Sequence, residues 1–227
     1  MIFAGNFKTN HTRSSTKEYI SILTKLVTNE RVYIFPPSIA LDKFEDSSIK
    51  IGTQNAYPTK NGAFTGEIGL EQLDEFDIKT ILIGHSERRE VLNENQEDIA
   101  SKFKFFQDNG FEIIYCIGEP LEVRKNGEKA VIEYLLSQFN GIDLNYDNLI
   151  VAYEPIWAIG TGVSASIEDI KGIHKALKEV VKSPLLYGGS VKIDTIKDIS
   201  NIDEVDGVLV GSACLDANKF YEMMSIK

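Results

Sequence analysis

Glu154, His85 and Lys8 each follow a short apolar run, as do the amides of Asn6, Gln54 and Asn55. Two glycine turns, Tyr187-Gly188-Gly189-Ser190 and Val210-Gly211-Ser212-Ala213, also follow apolar runs and precede helical patterns. Their N–H groups would converge on one anion near a helix N-terminus. In Gly84-His85-Ser86-Glu87 the histidine stands where a strand ends and a helical turn begins. The helix dipole there favours the neutral imidazole, which can donate a proton without being an ordinary acid. Singly, a lysine or asparagine at a strand end is an ordinary solvated loop residue, and a glycine turn merely relieves steric strain. Their coincidence points to an anion-binding site beside groups that move protons. His11 and His174 lie in polar contexts, are expected to be exposed, and receive no role.

These residues need a framework. Apolar runs rich in β-branched and aromatic residues alternate with amphipathic stretches from one end of the chain to the other. The runs predict strands over Ile2–Asn6, Val32–Phe35, Ile49–Gln54, Thr80–Gly84, Ile113–Ile117, Leu149–Glu154, Leu185–Tyr187 and Val205–Val210. Helical patterns cover Thr16–Val27, Gln96–Gln107, Lys129–Phe139, Ile167–Val181 and Asp216–Met224. Ser166 with Asp169 forms a capping-box variant, and Asn109-Gly110 a stop signal. Such alternation fits an open doubly wound sheet or a closed barrel. About eight units in a chain approaching the roughly 250 residues of a typical barrel favour a (β/α)8 TIM barrel, one catalytic domain of eight parallel strands spanning 1–227. Barrel active sites use the carboxyl ends of the strands, where the polar residues stand.

Gly160-Thr161-Gly162-Val163-Ser164-Ala165 matches the dinucleotide fingerprint G-x-G-x-x-G/A, but no strand feeds its first glycine, because Glu154-Pro155-Ile156-Trp157-Ala158-Ile159 intervenes. That apolar segment, with the chain's only tryptophan, is expected to cover something. It reads either as a lid that closes and excludes water or as a fixed loop on the barrel rim.

Bulk properties narrow the partners. The 227 residues carry 34 acidic against 24 basic side chains, a formal net charge of -10, so nucleic acid and anionic membranes are poor partners. A phosphorylated ligand would need a local positive site. Cys116 and Cys214, both in apolar runs, argue against a disulfide framework or a zinc site and fit a reducing cytoplasm. No stretch reaches the about 18 apolar residues of a membrane span, and the N-terminus lacks a signal pattern. A soluble, cytoplasmic protein is expected.

Asn6-Phe7-Lys8-Thr9-Asn10, Gly84 to Arg89, Cys116-Ile117-Gly118-Glu119, Tyr153 to Gly162 and Tyr187 to Ser190 together resemble the triosephosphate isomerase family, in the family's order and across nearly the whole chain. The resemblance implies interconversion of dihydroxyacetone phosphate and glyceraldehyde 3-phosphate in glycolysis and gluconeogenesis, with no cofactor or metal. It implies Glu154 as the base that removes a carbon-bound proton and His85 as the neutral electrophile and proton shuttle, a known case of pKa tuning. It implies Lys8 as the fixed positive charge and Asn6 as the group orienting the substrate oxygens. Gly160, Ser190, Gly211 and Ser212 would offer N–H groups to the phosphate. Pro155, Ile156, Trp157, Ala158, Ile159, Gly160 and Thr161 would form the lid. Asn61 to Glu67, with Phe64, Thr65 and Gly66 at its tip, resembles the family's intersubunit loop and implies a homodimer; composition alone allows a mobile polar loop.

The chain departs from the family in three ways. Ser212 stands at a usual glycine, Phe7 at a common tryptophan, and the segment between Phe35 and Ile49 leaves little room for a full helix. Ser212 keeps an N–H but tolerates fewer backbone angles. Two rivals remain. Another phosphate-binding barrel enzyme would share the glycine turns without needing Glu154, the lid and His85. A non-catalytic barrel would be expected to have lost part of the set.

Overall fold

Strands buried on both faces need apolar residues at nearly every position, and the predicted runs have them. In a computed structural model, described for residues 1–44, 48–159 and 164–226, they form β1 Ile2–Asn6, β2 Arg31–Phe35, β3 Ile49–Ile51, β4 Thr80–Ile83, β5 Glu112–Ile117, β6 Leu149–Tyr153, β7 Leu185–Tyr187 and β8 Gly207–Val210. All are parallel, in the order β3-β2-β1-β8-β7-β6-β5-β4. The remaining gap is bridged between Thr53 and Ile81. There the Thr53 N–H donates to the Thr80 carbonyl at 2.9 Å and the Leu82 N–H donates to the Thr53 carbonyl at 3.0 Å. A nearly closed barrel results.

Alternation along each strand divides the core in two. Ile2, Ala4, Leu82, Ile114, Cys116, Ile150, Ala152 and Leu209 fill the barrel interior, while Phe3, Ile113, Tyr115, Val151 and Tyr153 pack outward beneath the helices. The same parity carries Asn6, after Ile2 and Ala4, and Glu154, after Ile150 and Ala152, into the barrel mouth.

The longer helices are α1 Arg13–Leu26, α4 Gln96–Asp108, α6 Glu128–Ser137, α7 Ile167–Lys178 and α9 Ala217–Ile226. α1 starts ahead of the predicted Thr16 because Thr12 and Ser15 form the capping box. Ser166 and Asp169 cap α7 as predicted, and Gly110 leaves α4 at φ 72°. α4 starts at Gln96 as predicted, and the other ends shift by one to three residues, where fraying and local bonds override periodicity. The remaining helices, α2 Leu70–Glu75, α3 Ser86–Glu90, α5 Leu121–Arg124 and α8 Ile196–Ser200, are too short to show a period. Between β2 and β3 only a 3-10 turn, Ser38–Ala40, is present among the described residues, in keeping with the expected shortening. No helix among the described residues is long and apolar enough to cross a membrane.

Candidate active site

The carboxyl ends of β1, β4, β6, β7 and β8 open into one cavity of about 340 Å³, lined by Asn6, Lys8, His85, Glu154, Ser190, Gly211 and Ser212 among others. Asn6, His85 and Glu154 are buried in the barrel mouth. The structure thus gathers these residues from distant strand ends, whereas Gln54 and Asn55 lie outside this cavity and the Asn55 carboxamide accepts from the Lys102 ammonium. Gly160 and Thr161 lie outside the described residues.

Each side chain is set by its own local device. The Asn6 carboxamide accepts the Lys8 N–H at 2.9 Å, which holds Lys8 at φ 52°. The Gln54 amide donates to the Lys8 and Phe35 carbonyls at 2.8 and 2.9 Å. The Lys8 ammonium pairs with Glu87 at 2.5 Å. Gly84, at φ 77°, redirects the chain after β4; a Cβ there would lie 2.9 Å from the Cys116 carbonyl oxygen. The turn leaves His85 as the N-cap residue of α3.

His85 and Glu154 face each other, Nε2 to Oε1, at 3.2 Å. The other carboxylate oxygen accepts the Ser86 N–H at 3.3 Å. Burial pushes the Glu154 pKa up, but His85, the Ser86 N–H and Lys8 together hold it below the usual carboxylate value. For His85, burial works downward and the Glu154 carboxylate more than offsets it, so the pKa is raised. The ring's Nδ1 nonetheless accepts the Glu87 N–H at 3.2 Å. A second ring proton would have to displace that donor, so this geometry holds the neutral ring with its proton on Nε2. Gly188 keeps the carboxylate arm free, since a Cβ there would lie 2.8 Å from Glu154 Cγ.

The opposite side of the cavity is built from the turns after the last two strands, Gly188–Lys192 and Gly211–Ala213. Ser212 opens a 3-10 turn, Ser212–Cys214, whose first N–H groups have no acceptor within the turn. Among the described residues the non-glycine positions with positive φ are Lys8, His11, Asp77 and Asn93, and Ser212 is not one of them. Serine therefore meets no left-handed strain where the family usually has glycine.

The apolar segment after β6 packs down rather than standing free. Ile156–Ala158 is a 3-10 turn; Ala158 is buried, and Ile159 lines the cavity. The Trp157 indole donates to Glu119 Oε1 at 2.8 Å, the Ile156 N–H donates to the Glu119 carbonyl at 3.1 Å, and the Arg124 guanidinium lies 5.4 Å over the indole ring.

A family model described as triosephosphate isomerase matches residues 1–227. The chain belongs to the triosephosphate isomerase family. It is 62% identical to a triosephosphate isomerase of a Sulfurovum species, with 99% of both chains covered. It is 55% identical to one of Wolinella succinogenes, again over 99% of both, and 53% identical to one of Sulfurimonas denitrificans, over 98% of this chain and 94% of the relative.

Against that family background, sequence reasoning missed several residues. Glu87, quoted only as part of a motif, is the partner of Lys8. Glu119, likewise only quoted, anchors the tryptophan. Two histidine expectations are corrected. His174 is fully buried, because the polar residues around it in sequence lie on the outer face of α7. His11 is half-buried and hydrogen-bonded through both ring nitrogens. A histidine on the buried stripe of a helix was a usable signal for the first; nothing in the local sequence marked the second.

Proposed function

We propose that Glu154, His85, Lys8 and Asn6 carry the isomerisation, the reading supported above all by the 3.2 Å approach of His85 to Glu154 across the phosphate-binding cavity. As a member of the triosephosphate isomerase family, the chain interconverts dihydroxyacetone phosphate and D-glyceraldehyde 3-phosphate, a step of glycolysis and gluconeogenesis. The substrate enters between the two side chains and takes the place of their direct contact. Glu154, ionised by its neighbours, removes a proton from the carbon beside the carbonyl. The neutral His85 presents its Nε2–H to the carbonyl oxygen, and an enediolate forms. The ring then moves the proton between the two oxygens, and Glu154 returns its proton to the adjacent carbon.

Lys8 supplies fixed positive charge to the phosphate and the developing oxyanion, and Asn6 orients the oxygens. Ser190, Gly211 and Ser212 offer backbone donors, with Gly160 assigned by resemblance. Pro155 to Thr161 act as the lid, which keeps water out and prevents loss of phosphate from the intermediate. The burial of Ala158 and the place of Ile159 at the cavity support that role.

The active unit is a homodimer of one-domain barrels. Ile39, Val91, Leu92 and Phe64 are exposed apolar residues. Val91 and Leu92 border an open cavity of about 830 Å³ that also reaches Asn6 and Lys8. Phe64, Thr65 and Gly66 of the partner subunit would fill it. A cytoplasmic location fits the buried free thiols of Cys116 and Cys214. The test is metal-free turnover of glyceraldehyde 3-phosphate coupled to a reporter dehydrogenase, beside Glu154→Gln. No turnover by folded wild-type protein would overturn the reading.

A further inference from the structure

The connection after β1 holds two non-glycine residues in the left-handed region, Lys8 at φ 52° and His11 at φ 70°. A backbone of this kind persists only where side-chain contacts hold it. At His11 those contacts reach to α1 and to the connection after the neighbouring strand β8. The ring lies 4.6 Å from the Phe7 ring and 5.6 Å from that of Tyr19. Its Nε2 is 3.0 Å from the Leu215 carbonyl oxygen. A carbonyl can only accept, so Nε2 carries the proton; Nδ1, 3.2 Å from Ser15 Oγ, then accepts from the hydroxyl.

Leu215 immediately follows the 3-10 turn Ser212–Cys214 and closes it, its N–H donating to the Ser212 carbonyl at 3.3 Å. The Tyr19 hydroxyl donates to the Cys214 carbonyl at 2.6 Å, so α1 is stitched to the same turn. On the cavity side, a Cβ on Gly211 would stand only 3.6 Å from Lys8 Cε. The lysine therefore packs alongside the turn whose N–H groups would meet the same anion.

We propose that His11 is a positioning residue that ties the loop carrying Lys8 to the turn carrying Gly211 and Ser212, and so sets the spacing between the ammonium and the backbone donors that share one phosphate. The proposal rests on the phosphate-binding reading above. A dianion held by donors from two loops is sensitive to their separation, because hydrogen bonds weaken steeply away from their preferred length and angle. The tie acts on the phosphate, which does not react, so its loss weakens binding more than the proton transfers.

His11→Phe keeps a ring against Phe7 and Tyr19 and removes both hydrogen bonds; His11→Gln restores an N–H near the position of Nε2. For His11→Phe, KM and the competitive inhibition constant of inorganic phosphate should rise together, roughly threefold to tenfold, as for one lost hydrogen bond, with kcat within about twofold. His11→Gln should return both constants to within about twofold of wild type. Unchanged phosphate inhibition in His11→Phe would overturn the proposal. So would an equal rise in both variants accompanied by a lower melting temperature, which would mark His11 as a stability residue only. Absence of isomerase turnover in the wild type would instead count against the functional reading. Normal wild-type turnover with an indifferent His11→Phe counts against the inference alone.

Discussion

His85 and His174 sit at two faces of the same barrel wall, both buried, yet their surroundings push them in opposite directions. His85 faces the Glu154 carboxylate at the mouth, and its pKa is raised. His174, on α7, stands between the wall and its helical layer, 5.8 and 6.2 Å from the rings of Tyr153 and Tyr187. Its Nδ1–H donates to the Glu204 carbonyl at 3.2 Å, and its Nε2 meets no partner among the described residues. Burial lowers its pKa to about 4. Burial alone thus predicts neither function nor titration. What distinguishes the mouth is an anion placed against the ring and a backbone N–H that occupies the other nitrogen.

Removing that anion is the strongest way to break the difference. Glu154→Gln should retain the fold and lower kcat by roughly 10³-fold or more, since the proposed general base is gone. In the same variant His85 should behave like His174, with only burial acting strongly on it. Imidazole NMR should then find the ring titrating below its ordinary value rather than above it. An unchanged kcat would remove Glu154 from the mechanism; an unchanged His85 titration would mean that the carboxylate is not what raises it.

Next in size is His85→Gln, which keeps a donor near Nε2 but cannot pass a proton between oxygens. A kcat loss of roughly 10² to 10³ is expected in the coupled assay. The same exchange at His174 should leave kcat nearly untouched. Equal losses at the two positions would abolish the distinction between mouth and wall.

The mouth and the strands of the wall were legible in the sequence and the helical layer behind them less so, for a physical reason. Parity along a strand is rigid, so an apolar run ending at Tyr153 places Glu154 inward, and the run ending at Gly5 does the same for Asn6. Glycine at Gly84 and Gly188 marked where the backbone turns or yields space. His174 required weighing its place on the buried stripe with Ile170, Ile173 and Leu177 above the lysines beside it. The four short helices and the reach of His11 to Leu215 depend on contacts between distant segments, and local pattern carries no record of those. Barrel closure was inferred from repeat number, whereas the bonds that close it run through Thr53, just beyond the end of β3.

A stability experiment sharpens the comparison at the wall. Because the folded pKa of His174 is depressed to about 4 from 6.5, its contribution is complete above the ordinary value and is lost as pH falls toward the folded one. Between about pH 7 and about pH 5 the wild type should therefore lose about 2 kcal/mol more unfolding free energy than His174→Phe. Urea titration at the two pH values reads the difference. Parallel losses in the two proteins would show that other groups dominate acid unfolding.

The smallest expected effect lies where the two regions meet. Glu119 accepts from the Tyr153 hydroxyl at 3.2 Å, on the wall side, and from the Trp157 indole at 2.8 Å, on the side of the proposed lid. Burial raises its pKa, with the Trp157 and Tyr153 donors only partly opposing. An acid raised in this way adds stability at low pH and loses it as pH rises through the folded value. Glu119→Gln keeps an acceptor oxygen for the indole and carries no charge to desolvate. Its kcat should stay within about threefold of wild type. Its melting temperature relative to wild type should climb between about pH 4 and about pH 7. A relative melting temperature that instead falls over that interval would mean that the buried carboxylate is stabilised as the anion. Glu119 would then belong with Glu154, among carboxylates whose charge the fold maintains, and the indole bond would be a charged anchor for the segment after β6 rather than a neutral one.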